Sequence, residues 1–191
     1  MTAENKNRLH HSRTQKNHKI YVMASPCAGK STFATRETYR KVRLIDFNVY
    51  FEQWAKDSNL NITEFSRTTM EEREAIYNRV NIDYLYAQSD SVCMLGVIGP
   101  EKPQKNTDIS FVIVQPSLLR AMTNCLLRKW ELKRSKKTSH WSRWTHIRDY
   151  RRKLAAYAKE NGVQIYPRFE AALDAVLDDP SQKKEKSNRF N

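Results

Sequence analysis

The sequence lacks the marks of a secreted or membrane-embedded protein. Its three cysteines, Cys27, Cys93 and Cys125, are odd in number and widely spaced, which indicates neither a disulfide framework nor a zinc site. No apolar run approaches the length of a membrane span, and the polar N-terminal residues lack the apolar core of a signal peptide. We therefore expect a protein of a reducing cytoplasm with no membrane partner. The 191 residues, 39 % of them hydrophobic, suit one domain with a full core.

Acidic residues are scarce beside basic ones, and the formal net charge is +13. The excess lies in three segments: five basic residues and one acid in 1–19, eleven and two in 128–153, and four and one in 180–191. Such segregation favours a polyanion as partner, because each phosphate that is neutralised releases counterions. For the two terminal segments a purely solubilising role stays equally open.

The most informative motif is a phosphate-binding loop that follows the apolar run 20–23. The loop comprises Ser25, Pro26, Cys27, Ala28, Gly29, Lys30, Ser31 and Thr32. In such loops the backbone N–H groups and the start of the following helix hold the phosphates of ATP. Lys30 is expected to reach the β- and γ-phosphates, and Ser31 to bind Mg²⁺. Ala24 stands where the strict pattern has glycine, and an ordinary strand-to-helix turn is the alternative.

Hydrophobic patterning divides the chain into alternating strands and helices. Strands are predicted at 20–24, 42–45, 91–98, 111–114 and 163–166, and helices at 30–39, 49–56, 70–87, 118–133, 142–160 and 169–177. This alternation predicts an α/β fold, a P-loop NTPase of the nucleotide-kinase type, in which helices cover both faces of a five-stranded parallel sheet. The domain is expected to span 19–179, between a disordered basic arm at 1–18 and a basic tail at 180–191.

Asp46 is the carboxylate that the sequence most favours for a catalytic role. It ends the second predicted strand, and in open α/β sheets ligands bind beyond the carboxyl ends of the strands. There it can take the proton of an acceptor hydroxyl or help to hold Mg²⁺. Its alternative role is to cap the helix that begins near Asn48. The second acid of many P-loop ATPases is missing after strands 91–98 and 111–114, which argues against a motor-type ATPase and leaves Glu101 as a fallback.

The basic segment 128–153 corresponds by position to a helical lid over the phosphate-binding loop. Planar guanidinium groups suit bidentate phosphate contacts and the charge that develops on a transferred phosphoryl group. Arg148 is the candidate for that charge stabilisation. The candidates for contact with nucleic acid are Arg143, Arg151, Arg152 and Trp141. Trp141 is equally suited to stack on a base and to anchor the lid.

With this loop, Asp46 and the basic lid, the chain resembles small P-loop nucleotide and polynucleotide kinases over about residues 19–178. The loop form Ala-x-Pro-Cys-Ala-Gly-Lys-Ser-Thr is most similar to that of bacteriophage DNA-modification kinases. This resemblance implies ATP-dependent phosphorylation of the hydroxymethyl group of 5-hydroxymethyluracil in DNA, with Asp46 as general base, in the cytoplasm of an infected bacterium. Two alternatives remain, a phage deoxynucleoside monophosphate kinase and a nucleic-acid-binding ATPase. We expect a monomer or a weak dimer.

Overall fold

The computed structural model describes residues 17–65, 67–96, 108–131 and 140–179. Within these ranges six strands form one sheet: β1 (Lys19–Ala24), β2 (Thr38–Tyr39), β3 (Val42–Asp46), β4 (Val92–Gly96), β5 (Ile109–Val114) and β6 (Ile165–Tyr166). Their spatial order is β2-β3-β4-β1-β5-β6. Every pairing is parallel except that of β2 with β3, which is antiparallel. The chain is therefore an α/β protein with a mixed sheet.

In the same ranges there are seven helices, of which the first six lie between strands and the last follows β6: α1 (Lys30–Ala34), α2 (Phe47–Asp57), α3 (Ile62–Phe65), α4 (Met70–Ala87), α5 (Leu118–Glu131), α6 (His140–Asn161) and α7 (Phe169–Leu177). The predicted bounds of α4 are confirmed. Its first turn is a capping box, in which the Thr69 hydroxyl accepts from the Glu72 N–H and the Glu72 carboxylate accepts from the Thr69 N–H.

The predictions of a wholly parallel five-stranded sheet and of a helix over 30–39 are both wrong, and both differ from the structure between Ala34 and β3. The helix ends at Ala34, and β2 forms a hairpin with β3 instead. Arg40 and Lys41 form its tip, with φ of 47° and 69°, as a two-residue turn that matches the twist of the strands requires. The Arg40 guanidinium also reaches Asp174 of α7 at 2.9 Å. The apolar pattern does not signal a strand this short, whose turn contains no glycine.

Helices cover both faces of the sheet. Neighbouring residues of the central strand β1 point to opposite faces, so the strand contributes side chains to a core on each side. Ile20 belongs to a core that includes Phe33 of α1 and Phe169 of α7, whose rings stack with centroids 4.9 Å apart. Tyr21 belongs to the opposite core, which includes residues of α2, α4 and α6, among them Leu154. The expectation of two covered faces is thus confirmed.

A tyrosine hydroxyl lies inside the second core. Tyr21 is 1 % exposed, and its Oη accepts a hydrogen bond from Asn81 Nδ2 of α4 at 3.0 Å. A Cβ added at Gly96 of β4 would stand 2.1 Å from the same Oη. Gly96 is therefore the residue that allows a tyrosine to fit in the central strand.

Several predicted features lie outside the described residues. They are the arm at 1–18 except for its last two positions, the tail at 180–191, the end of the strand predicted at 91–98, Glu101, and the middle of the lid. Trp141 and Arg143 belong to α6, but their side chains are also outside the described part. In the part that is described, no helix has both the length and the apolar character needed to cross a membrane.

Replacing Gly96 by alanine is expected to lower the free energy of unfolding by about 3 kcal/mol, because the new methyl group overlaps the Tyr21 hydroxyl in a close-packed core. Gly162→Ala is the control: its φ of +66° strains alanine by about 1 kcal/mol, but no described atom lies within 4 Å of the new Cβ. Urea denaturation measures both. Equal losses in the two variants would contradict the described packing of Tyr21.

Candidate functional site

The sheet order opens a crevice at the carboxyl end of β1. From β1 the chain proceeds to β2 and β3 on one side, whereas from β4, the neighbour of β1, it proceeds to β5 on the other side. Ligands of open α/β sheets bind where strand order reverses in this way. The predicted phosphate-binding loop, residues 25–32, begins at this crevice directly after β1.

The loop starts with a tight turn whose third residue is not glycine. Ala28 N donates to Ser25 O at 3.1 Å, with Pro26 and Cys27 between them. Proline at the second position and a positive φ, 60° at Cys27, are features of a type II turn. The left-handed conformation costs a cysteine about 1 kcal/mol, so neighbouring groups must fix it. Gly29, with φ of 91°, then caps α1, where glycine carries no such penalty.

The carbonyl group of Cys27 is held from outside the loop. Asn124 of α5 donates from Nδ2 to Cys27 O at 3.0 Å, across 97 residues of sequence. The same Nδ2 atom lies 3.9 Å from the point where a Cβ on Gly29 would stand. Because α5 follows β5, and β5 pairs with β1 in parallel, the sheet itself brings Asn124 to the loop. Asn124 is therefore a positioning residue for the loop.

Lys30 is buried at the base of the loop. Lys30 is only 8 % exposed, and its Nζ donates to Ala24 O at 3.2 Å and to Ser25 O at 3.3 Å. These carbonyl groups replace part of the hydration that a buried ammonium group loses. The fixed positive charge lies directly beneath the turn of the loop, where an anion would be stabilised.

A cavity of about 650 Å³ opens over the loop. Among the described residues that line it are four cations, Lys30, Arg36, Arg120 and Arg168, and one acid, Glu170. Arg36 pairs with Glu170, with 2.9 Å between guanidinium and carboxylate, while Arg120 and Arg168 are exposed. The wall is therefore cationic on balance, and its size suits a ligand as large as a nucleotide.

Asp46 fills the structural role that the sequence left as an alternative. It is 8 % exposed, and its Oδ1 accepts from Asn48 N at 3.0 Å as the N-cap of α2. Helix α2 accordingly begins two residues earlier than predicted. Asp46 ends β3 at the same edge of the sheet as the loop, but among the described residues it is Asn48 that lines the cavity. One oxygen of the Asp46 carboxylate is thus committed to the helix cap.

The lid arginines whose side chains the structure describes lie in different surroundings. Arg148 and Arg152 are exposed and flank the Asp149 carboxylate, at 3.8 and 3.9 Å. Arg151 is half-buried and donates to the carbonyl oxygen of Pro116, a residue that lines the cavity. Burial lowers the pKa of the Arg151 guanidinium from its ordinary value. Arg151 thus contacts a residue of the cavity lining, although neither Arg151 nor Arg148 is itself among the described residues that line the cavity.

Ser31 is the residue at which the sequence predicts Mg²⁺ to bind. In the described ranges, no cluster of three or more His, Cys, Asp or Glu side chains could hold a metal ion. Ser31 is exposed on the first turn of α1 and lines the cavity. Mg²⁺ bound beside nucleotides keeps several waters and takes only one or two ligands from the protein. The Ser31 hydroxyl fits this mode of binding, and an all-protein metal cage does not fit these residues.

The sequence analysis did not single out several residues of the cavity, and the polar ones discussed here are Asn48, Arg120, Asn124 and Arg168. A signal for three of them was present. Arg120 and Asn124 follow β5, and Arg168 follows β6, and both strands run parallel to β1. Residues that follow parallel strands meet at one edge of the sheet, so these positions belong with the loop. Asn48 is marked in the sequence only by its position two residues after β3.

No protein-family model matches the chain, and no curated protein matches it. The site is therefore characterised by its own geometry. It consists of a cationic cavity at the carboxyl edge of the sheet, floored by a tight loop that buries a lysine.

Asn124→Ala is expected to raise the dissociation constant of ATP about threefold to tenfold, because one hydrogen bond that fixes the loop is lost. Thr123→Ala is the matched control on the same helix, since the exposed Thr123 hydroxyl bonds only the carbonyl of Leu119 among the contacts described. Equilibrium binding of a fluorescent ATP analogue measures both. Unchanged affinity in Asn124→Ala would remove this residue from the support of the loop.

Proposed function

We propose that the protein is an ATP-dependent kinase that transfers the γ-phosphate to the hydroxymethyl group of 5-hydroxymethyluracil in DNA. The observation that carries the proposal is the cavity over residues 25–32, whose floor contains the buried ammonium group of Lys30. Phosphoryl transfer needs chiefly the positioning of two oxygens and compensation of the charge between them. A fixed cation beneath a loop of backbone N–H groups meets both needs.

The shape of the cavity supports one orientation of ATP. The loop and Lys30 lie at the end nearest β1 and suit the β- and γ-phosphates. The remaining walls come from α5 and from residues 167–170, and they combine the guanidinium groups of Arg120 and Arg168 with the apolar side chain of Leu127. This mixture of apolar and cationic groups suits the nucleoside and its first phosphate.

The proposed roles at the reacting end follow from position. We assign charge stabilisation to Arg151, which contacts the cavity wall, in place of Arg148. Asp46 keeps the role of general base, with its carboxylate oriented by the α2 cap. Ser31 is the side chain that would hold Mg²⁺, and this ion when bound neutralises charge on the β- and γ-phosphates.

DNA as the acceptor is supported by the distribution of charge. The segment 128–153 holds eleven basic residues, and Arg148 and Arg152 are exposed on the helix that also carries Arg151 to the cavity. A kinase for free monophosphates needs only a small, locally basic pocket. A polyanionic acceptor requires basic groups beyond the nucleotide cavity, and the exposed Arg148 and Arg152 supply two of them.

The decisive experiment is transfer of label from γ-labelled ATP, with Mg²⁺, to three acceptors in parallel. They are DNA containing 5-hydroxymethyluracil, the same DNA with thymine, and a mixture of free deoxynucleoside monophosphates. We expect label only in the hydroxymethylated DNA. Label only in the free nucleotides would replace the proposal by a monophosphate kinase, and DNA-stimulated phosphate release without labelled DNA would indicate an ATPase.

Two variants then assign the residues in the same assay. Lys30→Ala is expected to abolish transfer. Asp46→Asn is expected to lower turnover about 100-fold or more with little change in ATP affinity, because asparagine caps a helix as well as aspartate but does not accept the proton. Turnover near that of the wild type in Asp46→Asn would leave Asp46 as a helix cap only.

A further inference from the structure

The cavity over the loop is lined from both sides of the central strand. The described residues that line it come from the segment 26–36, which follows β1, from residues that end or follow β5 and β6, and from Asn48. Asn48 alone follows β3, which lies on the other side of β1 from β5 and β6. Because β3 is two strand spacings from β1, about 10 Å, Asn48 lies at the end of the cavity opposite Arg120 and Arg168.

The two ends of the cavity suit different halves of the proposed reaction. The walls from α5 and residues 167–170 suit the nucleoside of ATP, and the loop between the ends suits its terminal phosphates. In phosphoryl transfer the attacking oxygen and the leaving oxygen lie roughly in line on opposite sides of the γ-phosphate. The acceptor therefore approaches from the remaining end, where β3 delivers Asp46 and Asn48. We call this the acceptor end of the cavity.

Asn48 is tied through its backbone to the proposed general base. Its N–H donates to Asp46 Oδ1 at 3.0 Å in the cap of α2. Asn48 is exposed and lines the cavity, whereas Phe47 before it is buried in the core. Val49 after it is also exposed but is not among the described residues that line the cavity. A group bound by the Asn48 amide would therefore lie within reach of the Asp46 carboxylate.

The side-chain amide of Asn48 matches the edge of a pyrimidine base. An amide offers N–H donors and a carbonyl acceptor side by side. The edge of uracil presents the O4 acceptor beside the N3–H donor, so one amide can bond both, as asparagine and glutamine do with adenine in DNA complexes. In 5-hydroxymethyluracil the carbon atom that carries the hydroxymethyl group is next to the carbon atom that carries O4. A bond from the amide to O4 therefore brings the hydroxyl group toward Asp46.

We propose that Asn48 is a specificity-determining residue that binds the O4 and N3–H edge of the acceptor base. This inference rests on the proposed function, since it requires an acceptor base beside the γ-phosphate. N3–H is engaged in pairing within a duplex, so the base must be extruded or single-stranded, as for other enzymes that act on a base. The same edge is presented by a base in DNA and by a free nucleotide, and the experiment has an arm for each source.

The test compares kcat/KM for transfer of label from γ-labelled ATP to two acceptor bases. One single-stranded oligonucleotide contains a single 5-hydroxymethyluracil and the other a single 5-hydroxymethylcytosine, and both bases are also offered as free mononucleotides. Asn48→Asp leaves only hydrogen-bond acceptors at this position, which repel the uracil O4 but accept from the cytosine amino group. The ratio of kcat/KM for uracil over cytosine is expected to fall at least about tenfold from its wild-type value. The added negative charge slows transfer to both bases and cancels in the ratio.

Asn48→Ala removes the amide without adding a charge. It is expected to lower kcat/KM for the hydroxymethyluracil oligonucleotide about 10-fold to 100-fold, chiefly by raising KM, because a bidentate contact to the base is lost. The dissociation constant of ATP is expected to stay unchanged, because Asn48 is at the acceptor end. Gln53→Ala is the control, since Gln53 is an exposed amide on the same helix that bonds Asp57 at 2.8 Å. It is expected to keep the wild-type values of kcat/KM for both bases.

Each outcome decides the role of Asn48. A ratio that stays at its wild-type value in Asn48→Asp overturns that role, while transfer to hydroxymethyluracil by the wild type still supports the proposed function. Weaker binding of ATP in Asn48→Ala also overturns it, because Asn48 would then contact the nucleotide. A fall of the ratio with free mononucleotides alone keeps the role of Asn48 and makes the free nucleotide the acceptor. No label in any acceptor with the wild type rejects the proposed function and the role of Asn48 together.

Discussion

The burial of one lysine ammonium group beneath a short loop constrains much of this structure. Lys30 lies under the loop because the chain turns sharply directly after β1. In that turn Cys27 has a left-handed conformation. Asn124 of α5 stabilises the conformation from a position 97 residues away, which is possible because β5 pairs with β1 along its whole length. The central position of β1 in the sheet and the geometry of the loop are therefore parts of one arrangement.

The central strand also divides the core between the two faces of the sheet. Ile20 faces α1 and α7, beside the loop and the cationic cavity, whereas Tyr21 faces the core that includes residues of α2, α4 and α6. The two sides meet at the carboxyl edge, where Arg151 contacts the carbonyl of Pro116.

Sequence patterns correctly placed the elements whose structure depends on residues close together in the chain. The loop motif, the helix over 70–87 and the run that becomes α7 depend on turn chemistry, a capping box and helical periodicity, and each lies where the sequence placed it. The hairpin after Ala34 was missed because the pairing of β2 depends on β3 and on the contact of Arg40 with α7. The charge-stabilising role of an α6 arginine stays a prediction. Which arginine of α6 lies nearest the cavity depends on how the helix packs, because Arg151 and Arg148, three positions apart, have almost the same local signal.

Whether residues 25–32 hold the terminal phosphates of ATP is best measured by calorimetric titration with ATP, ADP and adenosine in the presence of Mg²⁺. If the loop and Lys30 provide the binding energy, one ATP binds per chain, ADP binds more weakly, and adenosine binds far more weakly than either, because each phosphate removed loses charge-assisted hydrogen bonds. Equal affinity for the three ligands, or no binding of ATP, would contradict the assignment of this loop.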